Sequence, residues 1–182
     1  MLLRTLRYFI SVDHVAFIMD GNRRYARHLG LNVAQGHHDG LTKLFEIIEV
    51  CHLLGVRVVT VYAFSLQNFS RSVEEISHLI SLAADSAGEG GSIRDFALRD
   101  SCRIRFCGDL SLVNEELQQL LAEVEADTAH FKRFTLNICM CYGARNDIAS
   151  ALKDSTNSED ERCAFVFGVL IAGLSYNAYI CI

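Results

Sequence analysis

Apolar residues in this chain follow two alternating periods. His14–Met19, Arg57–Phe64, Arg103–Cys107 and Phe134–Cys141 are compact runs rich in β-branched and aromatic residues, of strand length. Between them the spacing becomes helical. Asp39–Leu54 carries Leu41, Leu44, Phe45, Ile48 and Cys51 on one stripe and stops at Gly55. Ser72–Ala87 opens with Ser72 as N-cap and Glu75 three residues on, the capping-box spacing. Asn114–Thr128 places Glu115 and Glu116 in its first turn, where the helix dipole favours them, ahead of Leu117, Leu120, Leu121 and Val124. Arg23–His28 and Arg145–Lys153 read as further helices, and Gly88–Ser92 as a loop. Strands alternating with helices predict an α/β fold: a mostly parallel central sheet with flanking helices.

The pattern changes after Lys153. Asp154–Arg162 is polar, and Ala164–Ile182 contains no charged residue. The expected organisation is a domain over 1–153, incomplete at its C-terminus, and a divergent tail over 154–182. Three readings of the tail stand. It is unrelated translation from a truncated or misspliced gene model, or a C-terminal membrane anchor, or a hydrophobic packing tail. As one helix, Ala164–Ile182 would be roughly 28 Å long, close to a bilayer core. Tyr176, Asn177, Tyr179 and two glycines make it a mediocre span.

Composition narrows the class. At 182 residues, with 51% hydrophobic and 21% charged residues, the chain is globular and of single-domain size. A net charge of −5, with no basic stripe or aromatic platform, argues against nucleic acid as a partner. Seven cysteines sit in or beside apolar runs, and Asp13 interrupts the only signal-like stretch. Buried free thiols in a reducing compartment are the simplest reading. Proline is absent, so boundaries rest on glycine and periodicity.

The candidate chemistry lies at two strand ends. In His14-Val-Ala-Phe-Ile-Met-Asp20-Gly21-Asn22-Arg23-Arg24-Tyr25-Ala26, a carboxylate ends a buried strand, glycine lets backbone N–H groups approach a ligand, and two arginines open a helix. A helix start with guanidinium forks suits a phosphate. Asp20 could hold a Mg²⁺ that bridges phosphate oxygens. The bland alternative is a capped turn with solvated arginines. In the second stretch, Val61 to Ser72, Ser65, Asn68 and Arg71 supply a hydroxyl, an amide and a cation at what parallel connections make the same sheet edge. A turn and cap would look the same. Gly36-His37-His38-Asp39 is a poor metal motif, because adjacent histidines seldom point at one ion. Cys139 and Cys141 alternate onto one strand face and read as buried small residues. Cys102 and Cys107 are too irregular to add a zinc pair.

Together the two stretches resemble the cis-prenyltransferase family, and Phe17-Ile-Met-Asp-Gly-Asn-Arg-Arg-Tyr-Ala26 is similar to the eukaryotic dehydrodolichyl diphosphate synthases. Arg71-Ser72 is also of eukaryotic type. Gly36-His37, Ile104 to Asp109, and Leu136-Asn137-Ile138 through Tyr142-Gly143-Ala144-Arg145-Asn146-Asp147-Ile148 follow in family order, so the resemblance covers His14 to Lys153. It implies condensation of isopentenyl diphosphate with an allylic diphosphate, forming a cis double bond, with Mg²⁺ as cofactor. Asp20 would bind the metal and assist departure of the allylic diphosphate. Gly21, Asn22, Arg23 and Arg24 would cradle that group, with Tyr25 and His37 nearby. Asn68 stands where the family has an asparagine implicated in proton removal from isopentenyl diphosphate. Ser65, Phe69 and Arg71 would help to place substrates. The growing chain needs an apolar channel, for which Leu44, Phe45, Ile48, Leu79 and Leu82 are candidates beside their ordinary role in packing.

The chain departs from the family pattern in three places. Gln67 replaces the usual glutamate, and Val33 stands where bacterial members often carry arginine. The arginine-rich block that binds isopentenyl diphosphate and adds an acidic metal ligand has no match: no arginine follows Arg162 and no acidic residue follows Glu161. The expectation is a chain weak or inactive alone, lacking sheet strands and the family's dimer surface. It would work as a homo- or heterodimer with a related subunit, or serve as a non-catalytic subunit or regulatory module. The family setting is the cytosolic face of the endoplasmic reticulum or the cytoplasm, in dolichol synthesis and protein glycosylation. Membrane association would come through the lipid product or the tail.

Overall fold

The computed structural model describes residues 12–154 and 178–181. Strands β1 (His14–Ile18), β2 (Val58–Ser65), β3 (Cys102–Cys107), β4 (Phe134–Tyr142) and β5 (Ala178–Cys181) form one sheet in the order β3-β4-β2-β1-β5. Every pairing is parallel. All strands therefore present their carboxyl ends at one edge, where open α/β sheets bind ligands.

Helices α1 (Asn22–Leu29), α2 (Val33–Leu54), α3 (Val73–Ala87), α4 (Ser92–Asp100), α5 (Glu115–Thr128) and α6 (Ala144–Asp154) connect the strands. The core holds Ile48 of α2, Val59 and Val61 of β2, Leu117, Leu121 and Val124 of α5, and Phe134 and Leu136 of β4. Residues on both faces of β4 are buried, hence its unbroken apolar reading. A polar seam crosses the other face. The Thr60 hydroxyl lies 2.8 Å from His14 Nε2 and accepts from Asn137 Nδ2 at 3.1 Å, joining β1, β2 and β4. Asn137 is fully buried, so this residue of the Leu-Asn-Ile motif serves the sheet.

The structure corrects the sequence reading in four places. Helix α2 begins at Val33, six residues before the expected start, with the Asn32 side chain accepting from Gln35 N at 2.7 Å. Its first two turns lack an apolar stripe because they pack by close approach. A Cβ at Gly36 would lie 2.5 Å from the Asn22 carbonyl oxygen, and one at Gly40 2.5 Å from Asn22 Oδ1. Second, Gly88–Ser92 is only in part a loop, since Ser92 opens α4, whose Ile93, Phe96 and Ala97 are buried. Third, the capping box at α3 forms by half: Ser72 Oγ accepts from Glu75 N at 3.3 Å, but the Glu75 carboxylate turns elsewhere. Fourth, Ala178–Cys181 pairs with β1 as a strand, whereas the sequence suggested four strands and only the anchor reading of the tail gave it a regular element, a single helix. The rest of the tail lies outside the described residues. Among the described residues, no helix is long and apolar enough to cross a membrane.

Gly36→Ala tests the α1–α2 contact. Overpacking against backbone costs about 1–3 kcal/mol, more than the ~1 kcal/mol that alanine gains over glycine inside a helix. The urea midpoint should fall. An unchanged or raised midpoint would show that the helices are not held this closely.

Candidate functional site

Strand β1 ends in a tight turn that aims Asp20 at the carboxyl edge of the sheet. Gly21 adopts φ +105°, a conformation L side chains rarely take, and its carbonyl accepts from Tyr25 N at 2.8 Å to start α1. One helical turn on, Arg24 Nη2 donates to Asp20 Oδ2 at 2.9 Å. The Arg24 and Asp20 side chains are 71% and 60% exposed, respectively. Such a pair contributes about 0–1 kcal/mol and reorganises easily when a more strongly charged anion arrives.

A second group is more firmly fixed. After β2, the 3₁₀ turn Leu66–Ser70 is locked by Ser65 and Asn68, each bonding the other's backbone, with Ser65 N donating to Asn68 Oδ1 at 2.9 Å. That turn delivers Arg71, whose Nη1 donates to Glu75 Oε1 at 2.8 Å. The same oxygen accepts from His37 Nε2 at 3.2 Å and lies 4.0 Å from Arg23 Nε. Asn22 Nδ2 donates to His37 Nδ1 at 3.4 Å, so the two contacts select the Nε2-protonated neutral tautomer. Burial, the largest influence, lowers the His37 pKa against the opposing pull of Glu75. Glu75 is thus a hub for α1, α2 and α3 that the sequence reading assigned only to a cap. Its signal was the i,i+4 spacing from Arg71.

These side chains surround a polar cavity of ≈ 240 Å³. Of the sequence candidates, Asp20, Gly21, Asn22, Arg23, Arg24, His37, Asn68 and Arg71 line it, and Arg27 joins them. Tyr25, Ser65 and Phe69 do not. Tyr25 is exposed, Ser65 caps the 3₁₀ turn, and the Phe69 ring packs edge-on against Phe64 at 5.0 Å. A second, apolar cavity of ≈ 130 Å³ shares Met19, Asn22, His37, Ala63 and Leu79 with the first. Leu44, Phe45, Leu79 and Leu82 line it as expected, whereas Ile48 is fully buried in the core and does not. His37 is buried and His38 exposed, so the two histidines diverge.

The remaining motifs meet elsewhere on the edge. Gly108, Asp109, Tyr142, Gly143, Asn146 and Asp147 border a cavity of ≈ 330 Å³ at the ends of β3 and β4. Tyr142 Oη donates to Asp147 Oδ2 at 2.6 Å. Burial and that carboxylate raise the phenol's pKa.

The family model described as putative undecaprenyl diphosphate synthase matches residues 18–172. The chain belongs to this prenyltransferase family. It is 38% identical over 141 residues to the human dehydrodolichyl diphosphate synthase complex subunit DHDDS, covering 78% of this chain and 42% of that protein. It is 38% identical over 157 residues to the tritrans,polycis-undecaprenyl-diphosphate synthase (geranylgeranyl-diphosphate specific) of Pyrococcus furiosus, covering 86% and 59%. The chain therefore spans about half the length of these curated relatives. Among solved structures, lavandulyl diphosphate synthase from Lavandula x intermedia, in complex with dimethylallyl diphosphate, superposes with a TM-score of 0.76. That match has 28% identity and covers 80% of this chain and 61% of the other. A probable undecaprenyl diphosphate synthase from Campylobacter jejuni, 22% identical with a TM-score of 0.66, covers 94% of this chain and 86% of its own, and shares the fold. The family's parallel sheet and flanking helices are those described above.

The histidines give this prenyltransferase domain a pH dependence. Burial lowers the pKa of both His37 and His14, so the folded chain holds them neutral while the unfolded chain takes up protons near pH 6.5. Their contribution is present above about pH 6.5 and is lost as pH falls through the lower folded values. The urea midpoint should drop from about pH 7.5 to about pH 5.5, and His37→Gln should flatten part of that slope. A flat wild-type profile would contradict the assignment.

Proposed function

We propose that this chain holds an allylic diphosphate at the Asp20–Arg24 turn and takes part in lengthening it with isopentenyl diphosphate, adding a cis double bond. The carrying observation is one polar, arginine-lined cavity abutting an apolar one, the shape of a prenyl diphosphate. The diphosphate lies among Arg23, Arg24 and Arg71 and the N–H groups that open α1. The hydrocarbon enters the apolar chamber past Met19, Ala63 and Leu79. As the allylic C–O bond breaks, negative charge gathers on the leaving diphosphate, and fixed donors there stabilise it. His37 keeps the wall neutral and in place, and the apolar chamber excludes water from the reacting carbons. Asn68 presents its amide where the proton leaves isopentenyl diphosphate. Gln67 in place of the family's glutamate slows that step.

Magnesium fits the donor set. Asp20 is an exposed carboxylate at the cavity rim, and Mg²⁺ is commonly bound by one or two carboxylates with substrate phosphates and water. When bound, the ion would neutralise charge on the departing diphosphate.

The described residues gather cations for one diphosphate. The second substrate would draw its cations from a related subunit, a reading supported by the complex-subunit name of the human relative. The proposed setting is the cytosolic face of the endoplasmic reticulum, in the dolichol pathway. Residues 1–153 form the body of the proposed prenyltransferase unit, and Ala178–Cys181 adds the edge strand beside β1 to its sheet.

Calorimetric titration with dimethylallyl S-thiolodiphosphate, an unreactive allylic analogue, tests the binding site. Arg24→Ala should weaken binding roughly 10- to 100-fold, the loss of a charged hydrogen bond of about 1.5–3 kcal/mol. Asp20→Asn should remove the gain in affinity that Mg²⁺ gives. Equal binding by wild type and both variants would end this reading. Labelled isopentenyl diphosphate should enter product when a related full-length subunit is supplied, and hardly at all with the isolated chain. Asp20→Asn should abolish the contribution of this chain, and persistence of that contribution would favour a purely regulatory role.

A further inference from the structure

The sheet face away from the apolar chamber carries a pair of thiols unused by the proposed chemistry. Phe106 and Ile138 line the chamber, so strand alternation turns their neighbours Cys107 and Cys139 to the opposite face. Cys107 and Cys139 stand directly opposite each other in the β3–β4 ladder. Neighbouring strands lie about 4.8 Å apart, within the Cα spacing of roughly 4.4–6.8 Å that disulfides accept. Facing each other in adjacent strands, the two thiols perturb each other's titration. The facing Cys139 thiol, and then Arg105, lower the Cys107 pKa against burial and the carboxylates of Glu125 and Asp147. The facing Cys107 thiol and burial push Cys139 up. Cys107 is partly exposed and Cys139 buried. Their neighbours are poor competitors: burial pushes Cys102 up to about 12 and Cys141 up to about 11, and Cys51 is raised as well.

We propose that Cys107 and Cys139 form a hydroperoxide-sensitive dithiol that closes reversibly into a disulfide joining β3 to β4. The Cys107 thiolate attacks the outer oxygen of a hydroperoxide, the O–O bond breaks, and the alcohol or water fragment leaves with a proton. Cys107 becomes a sulfenic acid. The Cys139 sulfur then attacks the Cys107 sulfur, the S–O bond breaks, and the hydroxyl departs as water with the Cys139 proton. Two thiols lose two electrons, and the peroxide is reduced to alcohol and water. A dithiol reductant reverses the step. The bond lands immediately before Gly108-Asp109 and three residues before Tyr142. There the strands are already in close contact: a Cβ at Gly108 would lie 1.9 Å from the Met140 carbonyl oxygen. Oxidation therefore staples an edge strand beside the third cavity without using any residue of the Asp20 site.

The test treats the full native chain with stoichiometric hydrogen peroxide, blocks free thiols with iodoacetamide, and maps tryptic peptides by mass spectrometry without reduction. Peptides 106–132 and 134–145 should appear cross-linked, two hydrogens lighter than their sum once the carbamidomethyl group on Cys141 is counted, with fragments placing the bond at Cys107 and Cys139. Dithiothreitol should release them. Cys139→Ser should trap Cys107 as a sulfenic acid that dimedone labels, Cys107→Ser should give neither product, and Cys141→Ser should leave the link intact. Circular dichroism checks that each variant is folded. The proposal is overturned if no link forms, if it runs to Cys141 or between two chains, or if Cys51 or Cys102 oxidises as fast as Cys107.

Discussion

Asn22 is pressed into the start of α2, and the geometry of the Asp20 cavity follows from that contact. Its carbonyl oxygen rests over Gly36 and its side chain over Gly40, at distances only hydrogen atoms on those two positions allow. Its amide nitrogen reaches His37 between them. Helix α1 is thereby fixed on α2 without an interdigitated apolar stripe, and Arg23 and Arg24 emerge on the cavity side. A larger residue at either glycine would lift α1 and separate these guanidinium groups from Arg71 and Asn68, which come from a different strand end.

The charges around the cavity fall into two kinds. Asp20 and Arg24 form an exposed pair in water, weakly held and free to exchange partners. Glu75, His37 and Arg71 are largely shielded and mutually satisfied, so they set shape. Glu75 neutralises one cation of the site and at the same time ties three helices together at one oxygen atom. This division suits a ligand that brings its own large negative charge. The rim rearranges around it while the wall stays in place.

The sheet separates two environments. On one face Val61, Leu136, Ile138 and Met140 line an apolar chamber. On the other, His14, Thr60 and Asn137 run a polar seam across three strands, and Cys107 and Cys139 face each other at the seam's outer end. Because the strands are parallel, both faces reach the same carboxyl edge, and the motif residues of all four longer strands cluster there.

The strands were legible from short apolar or alternating runs closed by Gly-containing turns: β1 and β3 lie within one residue of the limits read from the sequence. Five ordered motifs also identified the family, since their residue types and order survive translation into any fold. What failed were features whose signal is a contact. Helix α4 holds only three buried positions among charged neighbours, and the opening of α2 packs through glycine, which has no hydrophobic signature. Glu75 looked like a cap because cap spacing is local, while its true partners come from three separate helices or turns. Tyr25, Ser65 and Phe69 stand in the right motifs yet do not line the cavity, since neighbouring residues of a turn or helix face different ways. Amino-acid order thus determined the elements, the family and the chemical groups available. Only the tertiary packing decided which of those groups share a cavity, because that depends on interatomic approaches between segments far apart in the chain.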